Sequence, residues 1–178
     1  MRPILKTRRL LLRDFCEDDW RAVHEYASDP RVVRHMIWGP NTVRQTKRFI
    51  REILASQRKK PRDEFELAVI RRSDNLLLGG CGIRIKSFTN RDGDIGYVFR
   101  RDVWGQGYAT EAARAVLDYG FRRLKLHRIW ATCDVKNKGS ARVLEKIGMT
   151  REGRLRKNVR MRGSWRDSYL YAVVKSNR

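Results

Sequence analysis

The stretch of greatest chemical content runs Asp94-Ile95-Gly96-Tyr97-Val98-Phe99-Arg100-Arg101-Asp102-Val103-Trp104-Gly105-Gln106-Gly107-Tyr108-Ala109-Thr110-Glu111-Ala112. Ile95, Tyr97 and Phe99 alternate as a strand. From about Tyr108 to Leu124 the pattern turns helical: Glu111, Arg114, Asp118 and Arg122 make one polar stripe, and Ala112, Ala115, Val116, Tyr119 and Phe121 fill most of the rest. A loop with two glycines joins the two. The first turn of a helix presents unpaired N–H groups and a partial positive charge of about +0.5, and glycines let a diphosphate approach that backbone. A turn plus a helix cap needs no second glycine, so the segment predicts a phosphate cradle. The spacing is neither GxxxxGK[ST] nor GxGxxG, which excludes Walker-type and Rossmann readings on the residues themselves.

Further elements must hold the cradle in place. Leu10-Leu11-Leu12, between Arg9 and Arg13, reads as a first strand. Glu17-Asp18-Asp19 suits a helix start, Trp20, Val23, His24 and Ala27 share one face, and Asp29-Pro30 closes that helix. Thr42-x-x-Gln45 has capping-box spacing before a second helix carrying Ile50, Ile53 and Leu54, which runs into the turn Arg58 to Pro61. Phe65 to Arg71 and Leu76 to Ile85 read as strands, the second interrupted by Gly79, Gly80 and Gly82, a signal of a bulge or close backbone approach. Asp92-Gly93 is a hairpin signal. Ile129 to Val135 alternates as a strand, and Asn137 to Lys146 is a short helix ended by Gly148. Thr150 to Val159 and Arg166 to Val174 flank the turn Met161 to Ser164. The order is β-α-α-β-β-β-α-β-α-β-β, an α/β (α+β) arrangement without internal repeat or linker.

The 178 residues carry 41 Lys+Arg against 20 Asp+Glu, a formal net charge of +21. That length predicts one domain over residues 1–178, and 41% hydrophobic content with five Trp, six Tyr and six Phe argues against disorder. No apolar run approaches the ~20 residues of a membrane helix and the opening lacks a signal-peptide pattern, so the expected location is the cytoplasm. Cys16, Cys81 and Cys133 are odd in number, widely spaced and without CxxC, so neither a disulfide framework nor a metal site is expected. The charge repels cationic partners and attracts polyanions: RNA, phosphate-rich cofactors or acidic proteins.

At these residues the chain resembles the GCN5-related N-acetyltransferases (GNAT), and within them the RimJ/RimL-like group that acetylates ribosomal-protein N-termini. The family's R/Q-x-x-G-x-G/A loop is matched by Trp104 to Ala109 except at its first position, where Trp replaces Arg or Gln; the subgroup's W-G-x-G-Y-A-T-E-A form is matched throughout. Asn137-x-x-Ser140-x-Arg142-Val143-Leu144-Glu145-Lys146-x-Gly148 resembles the subgroup's N-x-x-S-x-R-V-L-E-K-x-G-F segment with Met149 for Phe, and Asp94 to Tyr97 is similar to its [E/D]-I-G-Y strand. The resemblance implies a mixed, strongly twisted sheet of six to seven strands with four helices, whose two central parallel strands splay apart. Acetyl-CoA would lie in that cleft, its pantetheine arm along Ile95 to Phe99 beside Val98, Phe99 and Arg100, and its diphosphate on Trp104, Gly105, Gln106, Gly107, Tyr108, Ala109 and Thr110. Arg142 and Lys146 would stand near its phosphates. Asn137 would bond the cofactor or the new amide, although Asn also suits a helix N-cap. The Tyr that many members use as general acid is replaced by Leu144; Ser140 is the implied substitute, and Asp94 the best-placed base. His35 and Trp38 would line the acceptor side.

A Lys amine with a pKa of about 10.4 needs roughly 4.6 kcal/mol for deprotonation at pH 7, whereas an α-amine at about 7.7 to 8.0 needs only about 1.0 to 1.4. A site without an obvious His base therefore suits an N-terminal α-amine. Small polycations such as polyamines or aminoglycosides would be repelled unless the cleft is locally acidic, and Glu17 to Asp19 is the acidic cluster visible in the sequence. Seven basic residues between Arg151 and Arg166, against Glu152 alone, read as a solvated hairpin or as a contact for a ribosome or RNA. A binding module without catalysis is the alternative of a different class. The acceptor's identity and the choice between monomer and homodimer stay open at this level.

Overall fold

The structure is a computed structural model that describes residues 3–175. Its elements are β1 (Ile4–Lys6), β2 (Leu10–Asp14), α1 (Trp20–Ala27), α2 (Val43–Ser56), β3 (Glu64–Arg71), β4 (Leu77–Ser87), β5 (Asp92–Phe99), α3 (Tyr108–Arg122), β6 (Arg128–Asp134), α4 (Lys138–Lys146), β7 (Thr150–Met161) and β8 (Ser164–Val174). The strands form one sheet in the order β1-β2-β3-β4-β5-β6-β8-β7, antiparallel throughout except between β5 and β6. The described residues thus hold eight strands where the sequence pattern predicts six to seven. The addition is β1, three residues too short to show alternation, which exists by pairing Ile4 to Lys6 against Arg13 to Leu11.

Local signals set most boundaries. Thr42 accepts from the Gln45 N–H at 3.3 Å while the Gln45 side chain accepts from the Thr42 N–H at 2.7 Å, so the capping box starts α2 as its spacing predicts. The last hairpin is longer than its pattern suggests because Arg162 and Gly163 take φ of +46° and +79°, a two-residue turn that keeps both strands paired up to Met161 and Ser164. The Asp92-Gly93 hairpin signal is displaced. The turn lies before it, ending at Arg91 with φ +50°, and both residues already belong to β5. In β4 the glycines mark both a register shift against β3 at Val69/Ile70 and close packing.

Each face of the sheet carries its own core. On one, Leu10, Leu12, Leu67, Ile83, Ile129 and Leu144 pack with Ala112, Ala113 and Val116 of α3. On the other, Val23, Tyr26 and Ala27 of α1 and Ile50 and Ile53 of α2 pack on Phe15, Ala68 and Ile70.

The start of α3 is fixed from a distance. Glu111, in its first turn, accepts from the Thr7 hydroxyl at 2.6 Å, the Arg9 N–H at 2.9 Å and Arg9 Nε at 2.7 Å, and the Arg9 guanidinium lies 4.3 Å from the Tyr108 ring centroid. Burial alone would raise the Glu111 pKa, but these donors outweigh it and hold the carboxyl below its ordinary 4.5. A depressed folded-state pKa stabilises fully above the unfolded value and loses that contribution as pH falls through the folded one. Glu111→Ala is expected to cost about 1–3 kcal/mol at pH 7 by leaving donors unpaired. In thermal unfolding, the gap to the parent protein should shrink below pH 4.5.

Candidate active site

The parallel strands β5 and β6 pair at only three positions: Asp92 with Arg128, Gly93 with Ile129 and Asp94 with Trp130. Beyond these the edge of Ile95–Phe99 facing β6 has no strand partner. A cavity of about 840 Å³ opens there, lined by β5 and β6, by α1, α2 and the 35–41 loop on one side, and by Asn137, Ser140 and Leu144 on the other. Predicted splaying of the two central strands is what the pairing shows.

At one end of the gap stands the glycine loop. Gly105 and Gly107 take φ of +75° and +81°, the left-handed region in which an L side chain is strained, and Gly107 is the N-cap of α3 without any side-chain cap bond. A Cβ at Gly105 would meet nothing within 4 Å. The first N–H groups of α3 are thus left free beside open space, a cradle whose donors fit a diphosphate. Trp104 caps the end of β5 by donating Nε1–H to the Phe99 carbonyl at 2.9 Å, and Gln106 donates to the Asp102 carbonyl at 3.0 Å, so their side chains brace the loop. Arg100 is engaged by Asp102 at 2.7 Å and Glu25 at 3.2 Å. Arg142 and Lys146 are exposed on α4, with no ion pair among the described residues.

The residues expected to do chemistry have partners that refine their roles. Asn137 Oδ1 accepts the Ser140 N–H at 3.1 Å, so it is the N-cap of α4, with its amide N–H groups left over. Ser140 Oγ lies 3.0 Å from the Tyr97 hydroxyl, which is also 3.0 Å from the Ser140 carbonyl. Tyr97 donating to that carbonyl leaves its oxygen to accept from Ser140, a two-hydroxyl pair bridging β5 and α4. Burial raises the Tyr97 pKa well above the ordinary phenol value, so the phenol stays protonated. Tyr97 was missed as a site residue because its strand alternation marks it only as inward-facing.

Asp94 is already engaged by neighbouring cations. Its carboxylate takes two bonds from Arg84, at 2.6 and 3.2 Å, with Lys86 at 3.6 Å, so the candidate base is committed to a cation clamp. His35 and Trp38 line the cavity, with His35 Nδ1 3.7 Å from Asp134 Oδ1. The cleft is also locally acidic, contrary to what the linear sequence suggests. Glu52, Glu64, Glu66, Asp94 and Asp134 line it, gathered from α2 and three strands, against Arg48, Arg84 and Arg166. Of the acids only Glu66 makes no hydrogen bond or ion pair to a described residue: Glu52 has Arg48, Glu64 has Ser56, Asp94 has Arg84, and Asp134 has the Lys136 N–H. Burial, with Glu64 and Asp94 adding and Arg84 opposing, pushes the Glu66 carboxyl up to about 8. Arg166 likewise has no partner among the described residues, its Nε being buried and unsatisfied.

The hairpin is less free than its charge run implies. Arg162 donates to the carbonyls of Val33, Arg34 and Gly39, holding the loop that carries His35 and Trp38, while Arg154 pairs with Asp167 and Arg151 stacks on Tyr169.

A family model described as an acetyltransferase (GNAT) domain matches residues 9–150. The chain belongs to the GNAT family of acetyltransferases. It is 39% identical over 171 residues to the uncharacterized N-acetyltransferase YnaD of Bacillus subtilis, covering 96% of each. The crystal structure of a GNAT-family acetyltransferase from Bacillus anthracis, 40% identical, matches with a TM-score of 0.86 over 97% of this chain and 98% of that one. RimL, a ribosomal L7/L12 α-N-protein acetyltransferase solved in complex with coenzyme A, shares the fold at 21% identity with a TM-score of 0.85, over 97% and 98% of the two chains. Acetyltransferases of this family use acetyl-CoA. If Gly105 to Ala109 is its cradle in this GNAT chain, Gly107→Asp should raise the dissociation constant for coenzyme A at least tenfold, about 1.4 kcal/mol, in calorimetry while circular dichroism stays unchanged.

Proposed function

We propose that this acetyltransferase moves the acetyl group of acetyl-CoA onto a protein N-terminal α-amine of the ribosomal-protein alanine or serine type. The observation that carries the reading is the charge lining of the cavity. Among its charged groups it offers one unpaired carboxyl, Glu66, and one unpaired guanidinium, Arg166, the other lining acids being partnered. A peptide N-terminus presents one ammonium followed by carbonyl oxygens, which suits that pair. A polyamine, which the acidic lining itself would admit, presents several cations and no acceptor, leaving Arg166 unpaired and like-charged. The RimL relative, named for α-N-protein acetylation, supports the same choice.

In this reading the pantetheine amides lie on the unpaired edge of Ile95–Phe99, beside Val98, Phe99 and Arg100. The diphosphate rests on the loop from Trp104 to Thr110, with Arg142 and Lys146 toward its phosphates. The neutral amine attacks the thioester carbonyl, the C–N bond forms and the C–S bond breaks. The sulfur takes its proton from Ser140, whose hydroxyl is restored by the proton the nitrogen loses as the amide forms, while Tyr97 holds Ser140 in place through their shared hydrogen bond. Asn137 offers its spare amide N–H to the acceptor or cofactor carbonyl. His35 and Trp38 face the acceptor from the loop that Arg162 holds.

Arg156, Lys157 and Arg160 remain exposed and without ion pairs to described residues, and they supply the contact to a ribosome or RNA. No helix among the described residues is long and apolar enough to cross a membrane. We place the protein in the cytoplasm with its ribosomal acceptor.

Thiol release from acetyl-CoA should be fastest with peptides beginning in Ala or Ser or with purified ribosomes, and slow with spermidine or aminoglycosides. Turnover on the latter alone overturns the acceptor assignment. Ser140→Ala should lower kcat by about 10²-fold or more with coenzyme A affinity retained. Full turnover by that variant removes the acid role.

A further inference from the structure

Glu66 has a feature that none of the other acids of the cavity shares: the backbone beneath it has been cleared for its carboxylate. It sits on β3 opposite Gly82 of β4, on the α1 and α2 face of the sheet. A Cβ on Gly82 would overlap a Glu66 carboxyl oxygen, and a Cβ on Gly80 would stand 2.9 Å from the other. The next residue across the sheet, on β5, is Gly96, where a Cβ would meet nothing within 4 Å. The side chain therefore lies flat on β4, on the path to the gap between β5 and β6. It is half-buried and lines the same cavity as Ser140 and Asn137. Its carboxyl oxygens have no donor among the described residues and open onto the cavity, so a donor brought by a ligand can pair with them.

We propose that Glu66 receives the acceptor ammonium at the floor of the cavity and takes its proton before the amine attacks acetyl-CoA. This rests on the N-acetyltransferase reading above and adds the group that reading lacks, since Asp94 is held by Arg84 and Lys86. The protons balance. The ammonium gives one proton to the Glu66 carboxylate, which passes it to solvent after turnover. The C–N bond forms as the C–S bond breaks, and the nitrogen's second proton, lost as the amide forms, restores the one that Ser140 delivers to sulfur.

The charged and titratable groups that face Glu66 are Glu64 on its own strand, Arg84 and Cys81 on β4, Asp94 on β5, Tyr26 on α1, and Arg48 and Glu52 on α2. Burial raises the Tyr26 and Cys81 pKa values and holds both neutral; Glu64 and Asp94 push the Glu66 carboxyl up and Arg84 opposes them, with the Arg48 and Glu52 pair at the rim. A carboxyl titrating near 8 matches an α-ammonium at about 7.7 to 8.0. Proton transfer between them is then close to balanced, the condition under which a general base is most effective.

The test uses Glu66→Gln, nearly the same shape without the titration, assayed by thiol release with an Ala-initiated hexapeptide, and with spermidine as a second probe. The parent protein should show kcat/KM rising with pH through about 8. The variant should be slower by about 10²-fold or more at pH 7. It should recover toward the parent rate by pH 9.5, where the free amine no longer needs a base, and coenzyme A affinity should be unchanged. Undiminished turnover at pH 7, or a deficit equal at every pH, overturns the role of Glu66 while leaving the acetyl-transfer reading standing. No thiol release by the parent protein with either probe overturns both. A structural readout stands beside these. A carboxyl with a raised folded-state pKa loses native stability as pH climbs from 4.5 to about 8, so the melting temperature of Glu66→Gln should gain on the parent's across that window. A gap that does not move with pH shows an ordinary carboxyl and overturns the proposal.

Discussion

The pairing of β5 with β6 ends at Asp94 opposite Trp130, and the rest of the site follows from that ending. Two parallel strands that stayed in register would satisfy each other's backbone groups and close the sheet. Because they part, Ile95–Phe99 keeps a row of N–H and C=O groups that need partners. An extended, amide-bearing chain laid along that edge can supply them, much as an added strand would. The same parting lets α4 approach β5, so that Tyr97 reaches Ser140, and opens the cavity under α1 and α2.

Two scales of electrostatics coexist in this molecule. The chain as a whole is +21, which sets its long-range attraction to polyanions. Inside the cavity the balance reverses, with five acidic side chains against three arginines. Screening over about 8–10 Å separates the two in solution, while charges inside the cleft are screened far less. The net charge therefore speaks for what the surface meets and says little about what the cavity holds. Much of the basic C-terminal hairpin is also structural, since Arg162 fastens the loop carrying His35 and Trp38 and Arg154 is paired.

Stability and the proposed diphosphate loop share residues. Glu111 gathers Thr7 and Arg9 onto the first turn of α3, and Arg9 also donates to the Gln106 carbonyl at 3.0 Å. The N-terminal strands thereby hold the glycine loop from outside. A loop whose backbone must present free N–H groups cannot hold itself by those same groups, so its bracing comes from side chains: Arg9, Gln106 and Trp104.

What the sequence determined by itself was whatever depends on neighbours along the chain. The capping box at Thr42 and Gln45, the glycine loop before α3, the N-cap at Asn137 and the last hairpin are local physics, and their residues sit a few positions apart. From these the order of elements and the glycine loop before α3 could be read, with only β1 lost because three residues carry no period. Tertiary structure decided which acids are free. Asp94 looked available until Arg84 was laid across from it on the next strand, and Glu66 looked like one more alternating strand residue until Gly80 and Gly82 appeared beneath it. The pairing of Tyr97 with Ser140, 43 positions apart, has the same origin. A carboxylate's chemistry is set by what stands within a few ångströms, and in a sheet those neighbours come from other strands, at sequence distances that no local pattern records.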